Sequence, residues 1–179
     1  MLSLTAAEMV QLKQALERRR PGHGLPRDLY HDPLVYRAEM DFIWRSGWLF
    51  AGHSCQIPKP GNYFLYDVDG DSMIIVRGND LQVHALYNVC RHRGSIICDA
   101  AQGSVKRFVC PYHQWTYDLD GRLLLWRGMQ DGLDKSELGL HAAHAREVEG
   151  LIFISLSQAP PDFDPAYKTI AEVARPQGL

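Results

Sequence analysis

The sequence predicts a mainly β protein in which one antiparallel β unit follows a helical N-terminal arm. Helix signals are concentrated in residues 1–46, and short apolar runs separated by turn residues fill residues 47–158. Residues 159–179 begin with a proline-rich linker and end in a stretch with helical spacing. We therefore expect an arm, a β domain and the start of a further segment, in that order.

Composition excludes several classes of protein. The 179 residues are 46% hydrophobic and 22% charged, with a net charge of −2. This balance fits a folded domain and argues against a disordered tail or a nucleic-acid binder, which is usually basic. The longest apolar runs are far shorter than the ~20 residues of a membrane helix, and no signal-peptide pattern opens the sequence. We expect a cytoplasmic protein with no nucleic-acid or membrane partner.

Two capping patterns predict the helices of the arm. Thr5 and Glu8 form a capping box ahead of apolar residues at helical spacing, so a first helix is expected there. Asp32 followed by Pro33 is typical of an N-cap and a first helical position, and Gly47 is expected to end this second helix.

Turn dipeptides predict the hairpins of the β region. Asp69-Gly70 and Asp120-Gly121 are both typical of tight hairpin turns. Strands are expected on either side of the first turn, at residues 63–68 and 73–76. Two more are expected at residues 81–89, ahead of the first Cys-x-His motif, and at residues 151–154, near the end of the domain. One more helix is expected over residues 167–173.

Four cysteines are too few for a disulfide scaffold and are typical of a reducing compartment. Cys55 and Cys98 have no ligand pattern around them, and we expect both to be small buried hydrophobes. Cys90 and Cys110 are different, because each is followed closely by a histidine.

Two motifs carry the candidate site. Cys90 and His92 form a Cys-x-His pair, Cys110 and His113 form a Cys-x-x-His pair, and seventeen residues separate His92 from Cys110. Each pair follows an apolar run, so two loops from neighbouring strands can face each other over one metal centre. Two thiolates and two imidazoles suit a tetrahedral zinc or a [2Fe–2S] cluster. Structural zinc sites usually group their cysteines, whereas one cysteine and one histidine in each loop is the pattern of a Rieske centre.

The residues around these motifs resemble the Rieske domain of ring-hydroxylating-type oxygenase α subunits. The resemblance rests on Asn-Val-Cys-Arg-His-Arg-Gly at residues 88–94 and on Cys-Pro-Tyr-His-Gln-Trp-Thr-Tyr-Asp at residues 110–118. It covers essentially the whole chain and is strongest for the branch that oxidises glycine betaine and choline. It implies a Rieske-type antiparallel β-sandwich or barrel and a cluster held by Cys90, His92, Cys110 and His113.

The resemblance also implies a function and partners. Such a domain takes single electrons from a reductase or ferredoxin and passes them to a mononuclear non-haem iron that oxygenates a small substrate. That Fe(II) site lies in a downstream catalytic domain, and the family forms homotrimers. We expect this chain alone to bind the cluster and to lack the catalytic iron. A stand-alone Rieske ferredoxin is the alternative, although the helical arm and the linker are unlike those shorter carriers.

The motif residues also predict the reduction potential. A cluster with two neutral imidazoles carries less negative charge than an all-cysteine cluster, so it is more easily reduced. High-potential Rieske proteins carry an additional disulfide and a serine and a tyrosine that donate to cluster sulfurs. Ser95 and Tyr112 stand here in place of the disulfide cysteines, and Gln114-Trp115 follow the second histidine. We therefore expect few donors and a potential on the order of −150 mV.

Other charged and histidine residues have weaker interpretations. Six cations near the motifs could dock an acidic donor or form ordinary surface ion pairs: Arg91, Arg93, Lys106, Arg107, Arg122 and Arg127. His141 and His144 are spaced so that they could share a helix face, without a nearby carboxylate to complete an iron site. Trp115 and Tyr117 are expected to shield the cluster from water.

Overall fold

The computed structural model describes residues 4–129 and 132–178. The chain forms two compact units, Met1–Gly47 and Trp48–Leu179. Among the described residues, no helix is both long enough and apolar enough to cross a bilayer.

The first unit is helical. It contains α1 (Ala6–Glu17), α2 (Asp28–His31), α3 (Pro33–Glu39) and a π-helical turn over Met40–Trp44. The predicted capping box is confirmed, because Glu8 N–H donates to Thr5 Oγ1 at 3.3 Å and Thr5 N–H donates to Glu8 Oε2 at 2.8 Å. The predicted second start is also confirmed, since the Asp32 carboxylate accepts the Leu34 N–H at 2.8 Å.

The described residues of the second unit form ten strands in two antiparallel sheets, which confirms the mainly β prediction. The strands are β1 (Leu49–His53), β2 (Asn62–Val68), β3 (Asp71–Arg77), β4 (Val83–Tyr87), β5 (Gln102–Ser104), β6 (Phe108–Val109), β7 (Thr116–Tyr117), β8 (Leu123–Leu125), β9 (Ala142–Val148) and β10 (Leu151–Ser155). The larger sheet has the order β1-β10-β9-β4-β3-β2-β5, and the smaller has the order β6-β7-β8.

Both predicted hairpins are present. Val68 pairs with Asp71 across the first turn, and Asp69 and Gly70 adopt the φ values of +54° and +85° that a type I′ turn requires. The second turn joins β7 to β8, with Gly121 at φ +89°. Turn chemistry therefore determines where these strands reverse.

A shared apolar core joins the two sheets. Ile74 and Val76 from the larger sheet are fully buried against Phe108 and Tyr117 from the smaller one. The same core includes Cys90, Cys98 and Cys110. Because the core extends to the loops that follow β4 and β6, it fixes the base of both candidate ligand loops. After β10 the chain forms α4 (Asp164–Ala174), which includes the predicted helix over residues 167–173.

Two predictions about local structure are wrong. β4 begins at Val83, later than predicted, because Leu81 has a φ of +65° that no strand accommodates. His144 lies within β9 and His141 lies just before it, so the two histidines do not share a helix face. Both side chains are exposed.

Candidate metal centre

The first candidate ligand loop follows β4 and is closed by two backbone hydrogen bonds. Cys90 N–H donates to Ser95 O at 2.8 Å, and Gly94 N–H donates to Cys90 O at 3.0 Å. Gly94 has a φ of +71°, a left-handed conformation that glycine adopts without steric penalty. The bridge between Val89 and Ile96 completes the loop at its base.

The second loop follows β6 and repeats the same construction. Cys110 N–H donates to Trp115 O at 2.8 Å, and Gln114 N–H donates to Cys110 O at 3.0 Å. Gln114 occupies the position of Gly94 and has a φ of +60°, which is unusual for a residue with a side chain. The two loops are thus two copies of one backbone design, and each begins with a cysteine.

The loops bring all four predicted residues together. The imidazole rings of His92 and His113 lie with their centroids 4.7 Å apart, in an edge-to-face arrangement. Cys90 and Cys110 are buried as free thiols, and their side chains are close enough to interact. The arrangement places a pair of thiols beneath a pair of imidazoles.

One ring nitrogen of each histidine has no hydrogen-bond partner within the described protein. In the part of the chain that the structure describes, His92 Nδ1 and His113 Nδ1 are buried and have no hydrogen-bond partner. A buried polar atom without a hydrogen-bond partner lowers the stability of the fold. Two equivalent nitrogens of this kind in facing loops therefore indicate that they bind a metal. The two Nδ1 atoms therefore fit metal coordination.

The four candidate donors form two pairs, one of thiols and one of imidazoles. Within residues 4–129 and 132–178, no three Cys, His, Asp or Glu side chains converge where a single ion could bind. A structural zinc needs four donors around one ion. A [2Fe–2S] cluster of the Rieske type needs two donors at each of two irons, which is what paired thiols and paired imidazoles provide.

Burial and local hydrogen bonds shift the pKa values of the two thiols in opposite directions. Burial alone would raise the pKa of Cys110, but hydrogen bonds from the backbone N–H groups of Tyr112 and His113 and from the side chains of Cys90 and Ser95 together lower it. Burial raises the pKa of Cys90, and the Tyr117 hydroxyl and the His92 N–H offset only part of that rise. Both sulfurs therefore have donors aimed at them, as a metal-bound thiolate requires.

Electrostatics also favour a neutral His92. Burial lowers the pKa of His92, and the neighbouring His113 and the Arg93 guanidinium lower it further. A neutral imidazole keeps a lone pair available for a metal.

Tyr117 contributes a donor that the spacing of the motifs does not reveal. Its hydroxyl lies 3.3 Å from Cys90 Sγ and accepts the Arg91 N–H at 3.1 Å. Burial raises the pKa of Tyr117, so the hydroxyl stays protonated and donates to the sulfur. The expectation that few side chains donate to the ligand sulfurs rested on Gln114-Trp115 and is wrong for Tyr117. The shielding role expected for Tyr117 and Trp115 agrees with their burial, at 0% and 1% exposed.

Asn88 is a second residue that the motifs did not single out. It is buried and makes four side-chain hydrogen bonds, to Ser72 Oγ, to Cys98 O and from the N–H groups of Ile97 and Cys98. These bonds fix the chain on both sides of the first ligand loop. The signal in the sequence was its place directly after an apolar strand and two residues before Cys90.

The remaining candidates fall outside the site or on its border. Arg91 donates to His141 Nε2 at 2.6 Å, and Arg122 pairs with Asp118 at 3.1 Å. The other four cations of this set are exposed: Arg93, Lys106, Arg107 and Arg127. Cys98 is buried as expected, whereas Cys55 is exposed, so the expectation of a buried hydrophobe is wrong for Cys55.

Two antiparallel sheets carrying a pair of loops, each with one thiol and one imidazole, define a class of iron–sulfur electron-transfer domain. The family model of the Rieske [2Fe-2S] domain matches residues 47–138. The chain belongs to this family.

Similar full-length proteins are oxygenase subunits. The chain is 42% identical over 162 residues to a glycine betaine monooxygenase oxygenase subunit of Chromohalobacter salexigens, covering 90% of this chain and 36% of that protein. It is 40% identical to the corresponding subunit of Pseudomonas aeruginosa, covering 92% of this chain and 38% of that protein. A chlorobenzene dioxygenase α subunit of a Cupriavidus strain is 36% identical over 84% of this chain and 34% of its own length. The chain thus spans little more than a third of these relatives.

Solved structures agree with this grouping. The quaternary ammonium Rieske monooxygenase CntA in its apo form superimposes with a TM-score of 0.78 at 29% identity, over 84% of this chain and 44% of that one. A naphthalene 1,2-dioxygenase from Rhodococcus superimposes with a TM-score of 0.82 at 28% identity, over 94% of this chain and 40% of that one.

Proposed function

We propose that Cys90, His92, Cys110 and His113 hold a [2Fe–2S] cluster, with the thiolates on one iron and the imidazoles on the other. The observation that carries this proposal is the pair of buried, unpartnered Nδ1 atoms in two loops of the same construction. When bound, the cluster would store and release one electron at a time. The chain's own residues orient the four ligands, donate to the sulfurs and exclude water.

We infer that this domain serves an oxygenase. In this proposal it receives single electrons from a reductase or ferredoxin and delivers them to a mononuclear non-haem iron that hydroxylates or demethylates a small substrate. Support comes from the relatives, which are monooxygenase and dioxygenase subunits more than twice as long. Their match includes the helical arm, which favours this function over a stand-alone Rieske ferredoxin.

The proposed substrate is a quaternary ammonium compound. Two of the relatives bear the name glycine betaine monooxygenase, and CntA is a quaternary ammonium monooxygenase. The similarity to a chlorobenzene dioxygenase is lower, at 36% identity. The substrate class thus rests on the ranking of the relatives, since the residues that contact substrate would belong to the downstream catalytic domain.

The proposal extends to organisation and location. We assign residues 1–46 to a helical arm, 47–158 to the cluster domain and 159–179 to the linker and the start of the catalytic domain. We also propose a homotrimer for the full-length protein and a cytoplasmic location. Four free cysteines support the reducing compartment.

The test is to reconstitute the purified chain with iron and sulfide and compare ligand variants with matched controls. Cys110→Ala and His113→Ala should both lose the red-brown colour and the low-g EPR signal of the reduced protein. Cys55→Ala and His31→Ala, which change exposed residues of the same types, should retain both. Retention of the cluster signal by either ligand variant would overturn the ligand assignment.

A further inference from the structure

One cation of the first ligand loop is held by a histidine and not by a carboxylate. Arg91, which lies between Cys90 and His92, donates from Nη1 to His141 Nε2 at 2.6 Å. A guanidinium has only donors, so His141 accepts through Nε2 and is neutral in this contact. In the part of the chain that the structure describes, no ion pair joins Arg91 to a carboxylate. The positive charge of Arg91 is therefore not compensated by the described protein.

The carboxylates of the neighbouring hairpin have a different partner. Asp118 lies 3.1 Å from Arg122 Nη2, and Asp120 lies 3.9 Å from Arg122 Nε. The Nε of Arg91 is itself buried and has no hydrogen-bond partner among the described residues. Burying a donor of a charged group without a partner costs free energy. The Arg91 guanidinium is thus held in a place where a nearby negative charge would stabilise it.

His141 belongs to a short segment, residues 139–141, that joins the supports of the two ligand loops. The Leu140 N–H donates at 2.8 Å to Gly121 O, in the turn of the hairpin that follows the second loop. The His141 carbonyl accepts at 2.8 Å the N–H of Tyr87, the last residue of β4, which precedes the first loop. The backbone that carries the His141 imidazole is therefore held at two points.

Arg91 is held by its backbone as well as by its guanidinium. Its N–H donates to the Tyr117 hydroxyl at 3.1 Å, and the same hydroxyl lies 3.3 Å from Cys90 Sγ. Because both ends of the side chain are fixed, the guanidinium cannot swing out into bulk water, where solvent and ions would screen its charge. The contact with His141 is what fixes the outer end.

We propose that His141 is a positioning residue that holds the Arg91 guanidinium on the first ligand loop and so keeps a poorly screened positive charge beside Cys90 and His92. This inference rests on the proposed cluster-binding function and concerns how readily the site accepts one negative charge. A fixed cation stabilises the reduced state, which carries one more negative charge, and a guanidinium in bulk water does so much less. Within the described residues, the His141 side chain is hydrogen-bonded to Arg91 and to none of the proposed ligands, so it acts through Arg91.

The test is a redox titration of the cluster-loaded chain, followed by EPR, on variants of His141 and Arg91. His141→Ala should lower the ratio of reduced to oxidised chain at a fixed potential about fivefold, which is about 40 mV for a one-electron couple at 59 mV per tenfold change. Arg91→Leu should lower the ratio at least as much. His141→Gln, whose amide oxygen accepts in place of Nε2, should restore most of the wild-type ratio.

Two comparisons separate a positioning role from a general loss of structure. In the Arg91→Leu background, His141→Ala should change the ratio no further, because its effect acts through Arg91. His144→Ala, which removes an exposed histidine three positions further along the chain, should leave the ratio unchanged. Iron content per chain identifies any variant that fails to fold around the cluster. If His141→Ala loses iron, Arg91→Leu should still lower the ratio and His141→Gln should not.

Two outcomes are decisive. A wild-type ratio in iron-loaded His141→Ala, or in Arg91→Leu, would overturn the positioning role. A wild-type chain that takes up iron and sulfide but shows no reversible one-electron reduction would instead contradict the proposed function.

Discussion

Replacing Tyr117 by phenylalanine removes one hydroxyl from the wall of the proposed cluster site. That hydroxyl is buried and lies 3.3 Å from Cys90 Sγ, and its raised pKa keeps it protonated. A donor to a sulfur stabilises the reduced cluster more than the oxidised one, because reduction adds negative charge. Phenylalanine keeps the ring and its packing, so the change isolates the hydrogen bond.

The size of the effect follows from hydrogen-bond energies. A hydrogen bond to a charged acceptor contributes about 1.5–3 kcal/mol, and only the part that differs between the two redox states changes the potential. If that part is about 1 kcal/mol, the one-electron potential of Tyr117→Phe falls by about 40 mV. The assay is a redox titration followed by EPR of the reduced cluster.

The control is Tyr63→Phe. Tyr63 is also buried, and its hydroxyl contacts the thiol of Cys98, which is not a proposed ligand. Its potential should match that of the wild type. A Tyr117→Phe potential that is unchanged or higher would refute the reasoning that this hydroxyl stabilises the reduced cluster.

Three further predictions concern the parts that support the site. Gly94→Ala should cost about 1–2 kcal/mol of unfolding free energy in chemical denaturation, because its φ is +71°; a Cβ there meets no other atom, so backbone strain is the only cost. Gly70→Ala, at φ +85° and remote from the site, should cost as much and leave the cluster content unchanged. Equal loss of cluster in both variants would contradict a local effect of Gly94 on the site. Asn88→Ala should cost about 4 kcal/mol by the same measurement, since it leaves the buried N–H groups of Ile97 and Cys98 and the buried Cys98 carbonyl unpaired. A cost below about 1 kcal/mol would show that the loop is held by other contacts. The Thr5 N–H and the Arg37 guanidinium lower the pKa of Glu8 from 4.5 to about 2. The stabilisation of the arm by ionised Glu8 is therefore fully present above pH 4.5 and is lost as the pH falls through about 2. Glu8→Gln should abolish this acid-dependent change in the amide exchange of α1, and an unaltered pH profile in the variant would contradict it.

Local patterns predicted much of the fold. The capping box at Thr5, the Asp32-Pro33 start and the two Asp-Gly turns depend on a few neighbouring residues, so the sequence contains all the information they need. Leu81 shows the limit, because its φ of +65° belongs to the turn in which its N–H donates to Gly78 O, and leucine does not favour that conformation by itself. Cys55 shows another limit, since burial depends on which strands cover a position.

The cysteines and histidines of the candidate site were predictable from the sequence, and their surroundings were less so. The spacing of the Cys and His pairs identified the four residues that the loops bring together. The contacts of Tyr117 and Asn88 were not apparent, because each joins residues far apart in sequence, 27 positions for Tyr117 and Cys90. The αL conformation of Gln114 was also hidden, since glycine is the residue that such a position normally selects.

The most direct test of the central claim is pulsed EPR of the dithionite-reduced chain, prepared with and without ¹⁵N-labelled histidine. In the proposed site His92 and His113 would bind one iron through their unpartnered Nδ1 atoms, so couplings to two histidine nitrogens, both altered by the label, are expected. An iron–sulfur signal without histidine nitrogen coupling, or a colourless chain that binds one zinc, would contradict it.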